Sequence, residues 1–286
     1  MRFAIEFAGA GATADPKVLG ELAHLAEEAG WDGVFLEDYV VHHKRPDMPT
    51  CDPWVALAAM AMRTHRVRLG TEVTALPRRR PWKLAREVAT LDHLSGGRMV
   101  LGVGLGDVND PGFAGVGEPT AASVRAQLVD ESLTIIDGLW KGEPFSFSGR
   151  HYRLDEMTFL PRPVQKPRVP IWVGGGWRNP GLKRRAARWD GICAYIETGS
   201  DSNWEDHSPR FVQEVNDLLE QKGRSPAGYD IVTGGRNRAD DWEQDRAIIT
   251  ALDEAGATWW VEYVDAEFDL ETQRRAATRG PLRPVL

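Results

Sequence analysis

Apolar residues recur along this 286-residue chain in two alternating rhythms. Short runs in which almost every position is apolar are separated by longer stretches in which apolar residues return every three or four positions, the rhythm of one buried helix face. The runs predict strands at Arg2 to Ala8, Gly33 to Glu37, Val67 to Val73, Met99 to Leu105, Ile171 to Gly174, Asp190 to Tyr195, Tyr229 to Thr233 and Trp259 to Val264. Each is followed by a predicted helix: Pro16 to Ala29, Pro53 to Arg63, Pro81 to Leu94, Ser123 to Trp140, Pro180 to Arg188, Ser208 to Lys222, Trp242 to Ala255 and Leu270 to Thr278. The helix boundaries have a chemical basis. Asp15-Pro16 and Asp52-Pro53 put a capping acid before a proline at the first helical position, while Gly30 and Gly256 supply the left-handed residue that ends a helix. Eight strands alternating with eight helices predict an α/β fold of the (β/α)8 (TIM) barrel type, with residues 1–286 as one domain. An open doubly wound sheet is the competing architecture, though it usually has fewer strands. The proline- and aromatic-rich stretch Lys141 to Val169, between helix four and strand five, is expected to be an excursion packed over the barrel mouth.

Composition narrows the function. The chain is 42% hydrophobic and 27% charged, with a formal net charge of -7 and basic clusters only at Arg78-Arg79-Arg80 and Lys183-Arg184-Arg185. That balance offers no electrostatic footprint for nucleic acid. Two cysteines, Cys51 and Cys193, are too few for a disulfide framework and fit a reducing compartment, so a cytoplasmic location is expected. The longest apolar run, Trp54 to Met62, is far short of a membrane span, and no membrane association is expected.

Three clusters carry candidate chemistry. Gly9-Ala10-Gly11-Ala12-Thr13-Ala14 matches the dinucleotide fingerprint G-x-G-x-x-G/A and, with Glu37 ending the next strand, would suggest an NAD(P)-dependent dehydrogenase. Pro16 argues against it, because the fingerprint helix would open near Gly11 and leave a proline inside it. A flexible first βα loop is the better reading. In the second cluster a strand runs into Gly102, Gly104 and Gly106, followed by Asp107, at the strand end that is the catalytic face in barrels. Small residues at alternate positions either admit a flat ring or merely fill a tight interior. In the third, Val173-Gly174-Gly175-Gly176-Trp177 precedes a helix near Pro180. Backbone NH groups there, with Arg178, form a candidate anion site for a phosphate-bearing cofactor, against the plainer reading of a glycine-rich turn. Metal chemistry has no support: the histidines are scattered and no HExxH or paired-cysteine motif occurs. Of the eleven tryptophans, Trp54, Trp82, Trp177 and Trp204 lie near predicted loops and could line an apolar pocket, although core packing accounts for most of the set.

With these residues in view, the chain resembles the luciferase-like family of flavin- and deazaflavin-dependent oxidoreductases over nearly its whole length. The matching pieces are Ala26-Glu27-Glu28-Ala29-Gly30-Trp31-Asp32-Gly33-Val34, Leu69-Gly70-Thr71-Glu72-Val73-Thr74, the Pro81-to-Gly106 block, Phe147-Ser148-Gly149-Arg150-His151-Tyr152, and Val173-Gly174-Gly175-Gly176. The resemblance implies coenzyme F420 or FMN at the C-terminal mouth, a small-molecule substrate, hydride transfer or monooxygenation, and a homodimer. It implies that Thr71, Glu72 and Val73 face the ring, with a non-proline cis peptide between Glu72 and Val73. It also implies that Gly174, Gly175, Gly176 and Trp177 hold the phosphate and that Asp107 is an acidic proton donor; the residues themselves add Gly104 and Gly106 beside the ring, Arg178 at the phosphate, and partial burial of Asp107 under the excursion. One position departs from the pattern: Tyr39 stands where many relatives have histidine. A phenol donates a hydrogen bond at neutral pH but is a poor base. Tyr39 is therefore expected to share proton handling with Asp107, with His42 and His43 as substitutes. The same departure keeps open a non-catalytic flavin-binding protein.

Overall fold

The computed structural model describes residues 1–42, 45–197, 204–238 and 242–284, residue 204 by its backbone alone. The first half of the chain runs β1 Arg2–Phe7, α1 Pro16–Glu28, β2 Gly33–Leu36, α2 Pro53–Arg63, β3 Arg68–Ala75, α3 Pro81–Ser95, β4 Met99–Gly104 and α4 Ala122–Trp140. A hairpin follows, β5 Pro144–Ser148 with β6 Arg153–Thr158. The second half runs β7 Ile171–Gly176, α5 Pro180–Ala186, β8 Gly191–Glu197, β9 Trp204–Glu205, α6 Pro209–Gln221, β10 Asp230–Arg236, α7 Trp242–Glu254, β11 Trp259–Val264 and α8 Leu270–Thr278. Parallel pairing joins β10, β11, β1, β2, β3, β4, β7 and β8 in that order, and β8 returns to β10 to close the ring. The eight expected strands are thus a closed barrel, and the open-sheet alternative is excluded.

The helix starts form as the sequence dictates. Asp15 and Asp52 accept from the backbone NH of Lys17 and Val55, each ahead of a proline at the first position. Gly30 and Gly256 take positive φ values of 92° and 98° just past α1 and α7. Gly11–Thr13 make only a single 3-10 turn, and α1 opens later, at Pro16, so the long helix that a dinucleotide fingerprint would start at Gly11 does not form. The loop from Gly9 to Ala14 is pinned rather than flexible: Gly11 N donates to Pro49 O, and Cys51 N donates to Gly9 O.

The barrel is stoppered at its N-terminal end. Phe35, Trp172 and Trp259 turn inward there with centroids 5.2 to 6.0 Å apart; Trp259 meets both partners edge to face, and Phe35 lies tilted against Trp172. Both indole NH groups donate to the Asp230 carboxylate, so these large side chains are fixed as well as buried.

The excursion lies elsewhere than expected. It packs along the outer wall made by α3 and α4: Glu131 accepts from the backbone NH of Arg150, His151 and Tyr152, Arg86 Nη1 donates to Leu160 O, and His93 Nε2 meets Arg162 O. Phe145 covers Gly138, where any side chain on α4 would collide with its ring. The aromatic residues that suggested a lid face helices instead of the mouth, because the glycine and the glutamate on α4 are shaped to receive them.

Candidate active site at the barrel mouth

The C-terminal ends of the strands converge on one mouth, and the pleat decides which side chains enter it. On β1, Ala4 lies in the barrel interior and Glu6 follows two residues on; on β2, Phe35 is followed by Glu37 and Tyr39; on β3, Glu72 follows Gly70. These acids form a layer above the aromatic stopper. Glu37 accepts from Tyr39 Oη at 2.7 Å and from Tyr263 Oη at 3.4 Å. Burial, then the Glu37 charge, holds both phenols far above their ordinary range, so Tyr39 is a donor and never a base. Glu6 is 6% exposed, and burial followed by the carboxylates of Glu72 and Glu37 raises its pKa well above the usual range. The same causes, burial and then Glu37, push Glu72 up to about 8. Cys193, buried on β8, is raised by burial and then by Glu72 and Glu6.

Beside this layer β3 bulges. Opposite the β4 stretch from Leu101 to Val103, β3 carries two extra-ladder residues, Glu72 and Val73, joined by a cis peptide. Thr71 and Thr74, both buried, share a hydroxyl contact of 2.9 Å that braces the bulge, and Thr71 Oγ1 also donates to Gly102 O. Val73 spreads across the neighbouring strands. A Cβ on Gly104 or on Gly174 would lie 2.8 Å from one of its methyls, and a Cβ on Gly102 would strike Thr71 O. Packing within the bulge therefore requires glycine at each of these positions. Gly106 is explained in the same way, at φ 75° with Phe113 where a side chain would go.

Gly175 is different: it has φ 145°, and the nearest atom to a Cβ there is on Leu182 at 3.8 Å. The turn that follows is built from Trp177 N donating to Tyr195 O and Asn179 capping α5 at Gly181 N. Trp177 is buried and donates to Glu214, with Lys183 over its ring; Arg178 is exposed.

Asp107 stands past the end of β4, as expected, but it is exposed, and Oδ1 accepts from the backbone and side chain of Asn109. The partial burial under the excursion is absent, since the excursion occupies the outer wall. Its ionisable neighbours are the Arg125 guanidinium and the neutral Tyr195 phenol, which burial raises above its ordinary value. Arg125, missed in the sequence, is buried and donates to Leu105 O and Gly106 O, fixing the β4 loop. Asp38, also missed, forms a two-pronged ion pair with Arg79 and a second pair with Arg78, which in turn holds Asp110. That network ties the β2 loop to the β3 loop and walls a cleft of about 510 Å³ between Tyr39, Thr50, Arg80 and Lys83. His42 is buried beside Tyr39, their rings 5.2 Å apart; His43 lies outside the described residues. Of the loop tryptophans, Trp54 and Trp177 are buried, Trp82 stacks edge-on against Tyr152, and the side chain of Trp204 lies outside the described residues. No group able to hold a metal occurs among the described residues.

A sealed eight-stranded barrel with titratable groups and a braced apolar platform at its C-terminal mouth defines a ligand-binding barrel of the enzyme type. The model of the luciferase-like monooxygenase family matches residues 3–282, and the chain belongs to that family. It is 36% identical over 220 residues to the F420-dependent glucose-6-phosphate dehydrogenase of Microbacterium testaceum, an alignment covering 76% of this chain and 62% of that protein. The chain thus spans about three fifths of the length of the curated relatives it matches. Among solved structures, monooxygenase RslO1 from Streptomyces bottropensis superposes with a TM-score of 0.76 at 23% identity, covering 97% of this chain and 96% of that one. The coenzyme F420-dependent tetrahydromethanopterin reductase from Methanopyrus kandleri gives 0.73 at 16% identity, with 98% of each chain covered. At such identities these two share the fold.

Proposed function

We propose that this chain is an oxidoreductase that binds coenzyme F420 or FMN across the barrel mouth and acts on a small organic molecule by hydride transfer or monooxygenation. The observation that carries this reading is the platform of Val73, an apolar surface held over Gly104 and Gly174 in the middle of a mouth otherwise lined by acids and phenols. A flat ring needs such a surface on one face and hydrogen-bonding groups at its edge. The bound ring supplies the hydride chemistry, and the protein supplies position and proton control. Glu72 and Val73 would hold the ring face, with the buried Thr71 bracing the bulge beneath them, Gly106 and Arg125 would shape its border, and Gly175, Gly176, Trp177 and Arg178 would receive a phosphate. Tyr39 would donate a hydrogen bond, and Asp107, on the rim, would exchange a proton with solvent. The relatives named for F420 favour the deazaflavin.

The reading includes a homodimer, supported by the apolar outer side of α2, where Val55 and Met62 are 64% and 66% exposed. It also includes a reducing, cytoplasmic setting, supported by two free thiols. No helix among the described residues is long and apolar enough to cross a membrane. Titration of the purified protein with F420 and with FMN, followed by difference absorbance, tests the cofactor. Saturable binding of F420 with a perturbed ring spectrum is expected, and failure of both to bind would overturn the reading. A light-scattering mass of one chain would remove the dimer.

A further inference from the structure

Glu6 and Glu72 pose a problem that the proposed cofactor chemistry leaves unsolved. Glu6 is more than nine-tenths buried and its Oε1 has no hydrogen-bond partner; Glu72 Oε2 is also buried and without one. The two side chains come from β1 and β3, the strands that flank β2, where Glu6 follows the inward Ala4 and Glu72 follows Gly70, and the Glu72 carboxylate is close enough to act on Glu6. No ion pair includes either of them among the described residues. Among the described residues, the groups that act on them are Glu37 and Tyr39 at the end of β2, Tyr263 on β11 and Cys193 on β8, all acids or weak acids, with the His42 imidazole one ring further out beside Tyr39. In the free mouth burial and mutual proximity favour the protonated, neutral form of both carboxyls, which relieves their repulsion but leaves Glu6 Oε1 and Glu72 Oε2 without partners. A positively charged donor gives both a partner. A metal ion is a poor candidate, because the described residues contain no set of ligands able to hold one. Val73 and the rings of Tyr39 and Tyr263 stand beside the acids, so an organic cation could lay its carbon skeleton on them while its N–H groups reach the carboxylates.

From this juxtaposition we infer that the mouth selects an organic cation, an amine or iminium compound, whose nitrogen is held between Glu6 and Glu72. The inference rests on the proposed function in that it names the charge class of the molecule that shares the mouth with the cofactor. It accounts for the buried, unpartnered oxygens of Glu6 and Glu72, where an apolar or hydroxylated substrate would favour residues that cannot ionise.

The test is a calorimetric comparison of two probes of equal shape, benzylammonium and benzyl alcohol, on the purified protein with no cofactor added. The cation should bind at least about 10-fold more tightly, the scale of one charge-assisted hydrogen bond. Glu72→Gln and Glu6→Gln should each shrink that preference, and the double variant should erase it, with the near-ultraviolet dichroism of the fold retained. Equal binding of the two probes, tighter binding of the alcohol, or no binding of either would overturn the inference from the unmodified protein alone. A preference that survives in the folded double variant would overturn it as well. Cofactor titration is read separately by absorbance. A protein that prefers the cation yet ignores F420 and FMN would lose the proposed function while keeping this inference, and the reverse result would do the opposite.

Discussion

At the scale of single residues, the acids of this protein divide into those that hold the chain together and those that strain against it. Glu27 belongs to the first kind. Burial works to raise its pKa, yet backbone NH groups of Val67, Arg66 and His65 donate to its carboxylate and lower it overall. A depressed carboxyl stabilises the fold above its unfolded value and loses that contribution as pH falls through the folded one. Glu27→Gln should therefore cost about 1–3 kcal/mol at neutral pH, read as a lower denaturation midpoint, with the gap closing in acid. Glu72 belongs to the second kind. Raised to about 8, it gives stability that is fully present below the unfolded value and is lost as pH rises through 8. Glu72→Gln should melt higher than the parent at pH 8 and equal it near pH 4, a sign opposite to that of Glu27→Gln. Asp107 is a third case, exposed and engaged with Asn109. Its proposed proton role predicts that Asp107→Asn binds cofactor normally and turns over about 100-fold more slowly. Parental turnover across the pH range would make it a loop cap and move proton handling to the buried carboxyls. Glu6 was hidden in the sequence because a single acid in a short strand resembles an ordinary surface position. The usable signal was its register, two residues on from Ala4 and thus on the same inward side.

Among the elements, the barrel strands and their helices were legible because period, capping acids and terminal glycines all agreed. Pro53 to Arg63, Leu270 to Thr278 and Trp259 to Val264 begin and end where their patterns begin and end. The hairpin was not legible. Phe145, Phe147 and Tyr152 declare that a stretch is buried, but not against what, and the partners are Gly138 and Glu131 more than five residues upstream on α4. Detaching the tip of the hairpin should accordingly leave the mouth alone. Glu131→Ala removes the acceptor for three backbone donors and should raise hydrogen exchange in residues 144–158, with cofactor affinity unchanged. A matching loss of affinity would return the hairpin to the mouth as a lid. On β7, Gly175 has space for a methyl but a φ of 145°, so Gly175→Ala should fold with modest destabilisation. Weakened cofactor binding beyond that would support the phosphate role of this turn.

Over the whole molecule, closure depends on what fills the far end of the barrel. Asp230 accepts from the indoles of Trp172 and Trp259 and pairs with Arg2, linking β10, β7, β11 and β1 around the ring. Asp230→Ala leaves two buried indole donors unsatisfied and should lower stability by about 2–4 kcal/mol, measured by chemical denaturation, without altering which ligands bind at the opposite end. The overall architecture was readable from the count of alternating units, whereas this linkage was not. It joins residues 2, 172, 230 and 259, and no local pattern relates them.

The same stopper makes the protein its own optical instrument. Trp172 and Trp259 are fully buried, anchored by Asp230 and in mutual contact inside the barrel, on the side away from the mouth. A near-ultraviolet chromophore seated at the mouth would look down the barrel at two fixed emitters and drain their excitation by resonance transfer, while a colourless ligand would leave their glow intact. Tryptophan emission can thus distinguish, in a single cuvette and without any label, the arrival of a tricyclic ring from the arrival of its reaction partner.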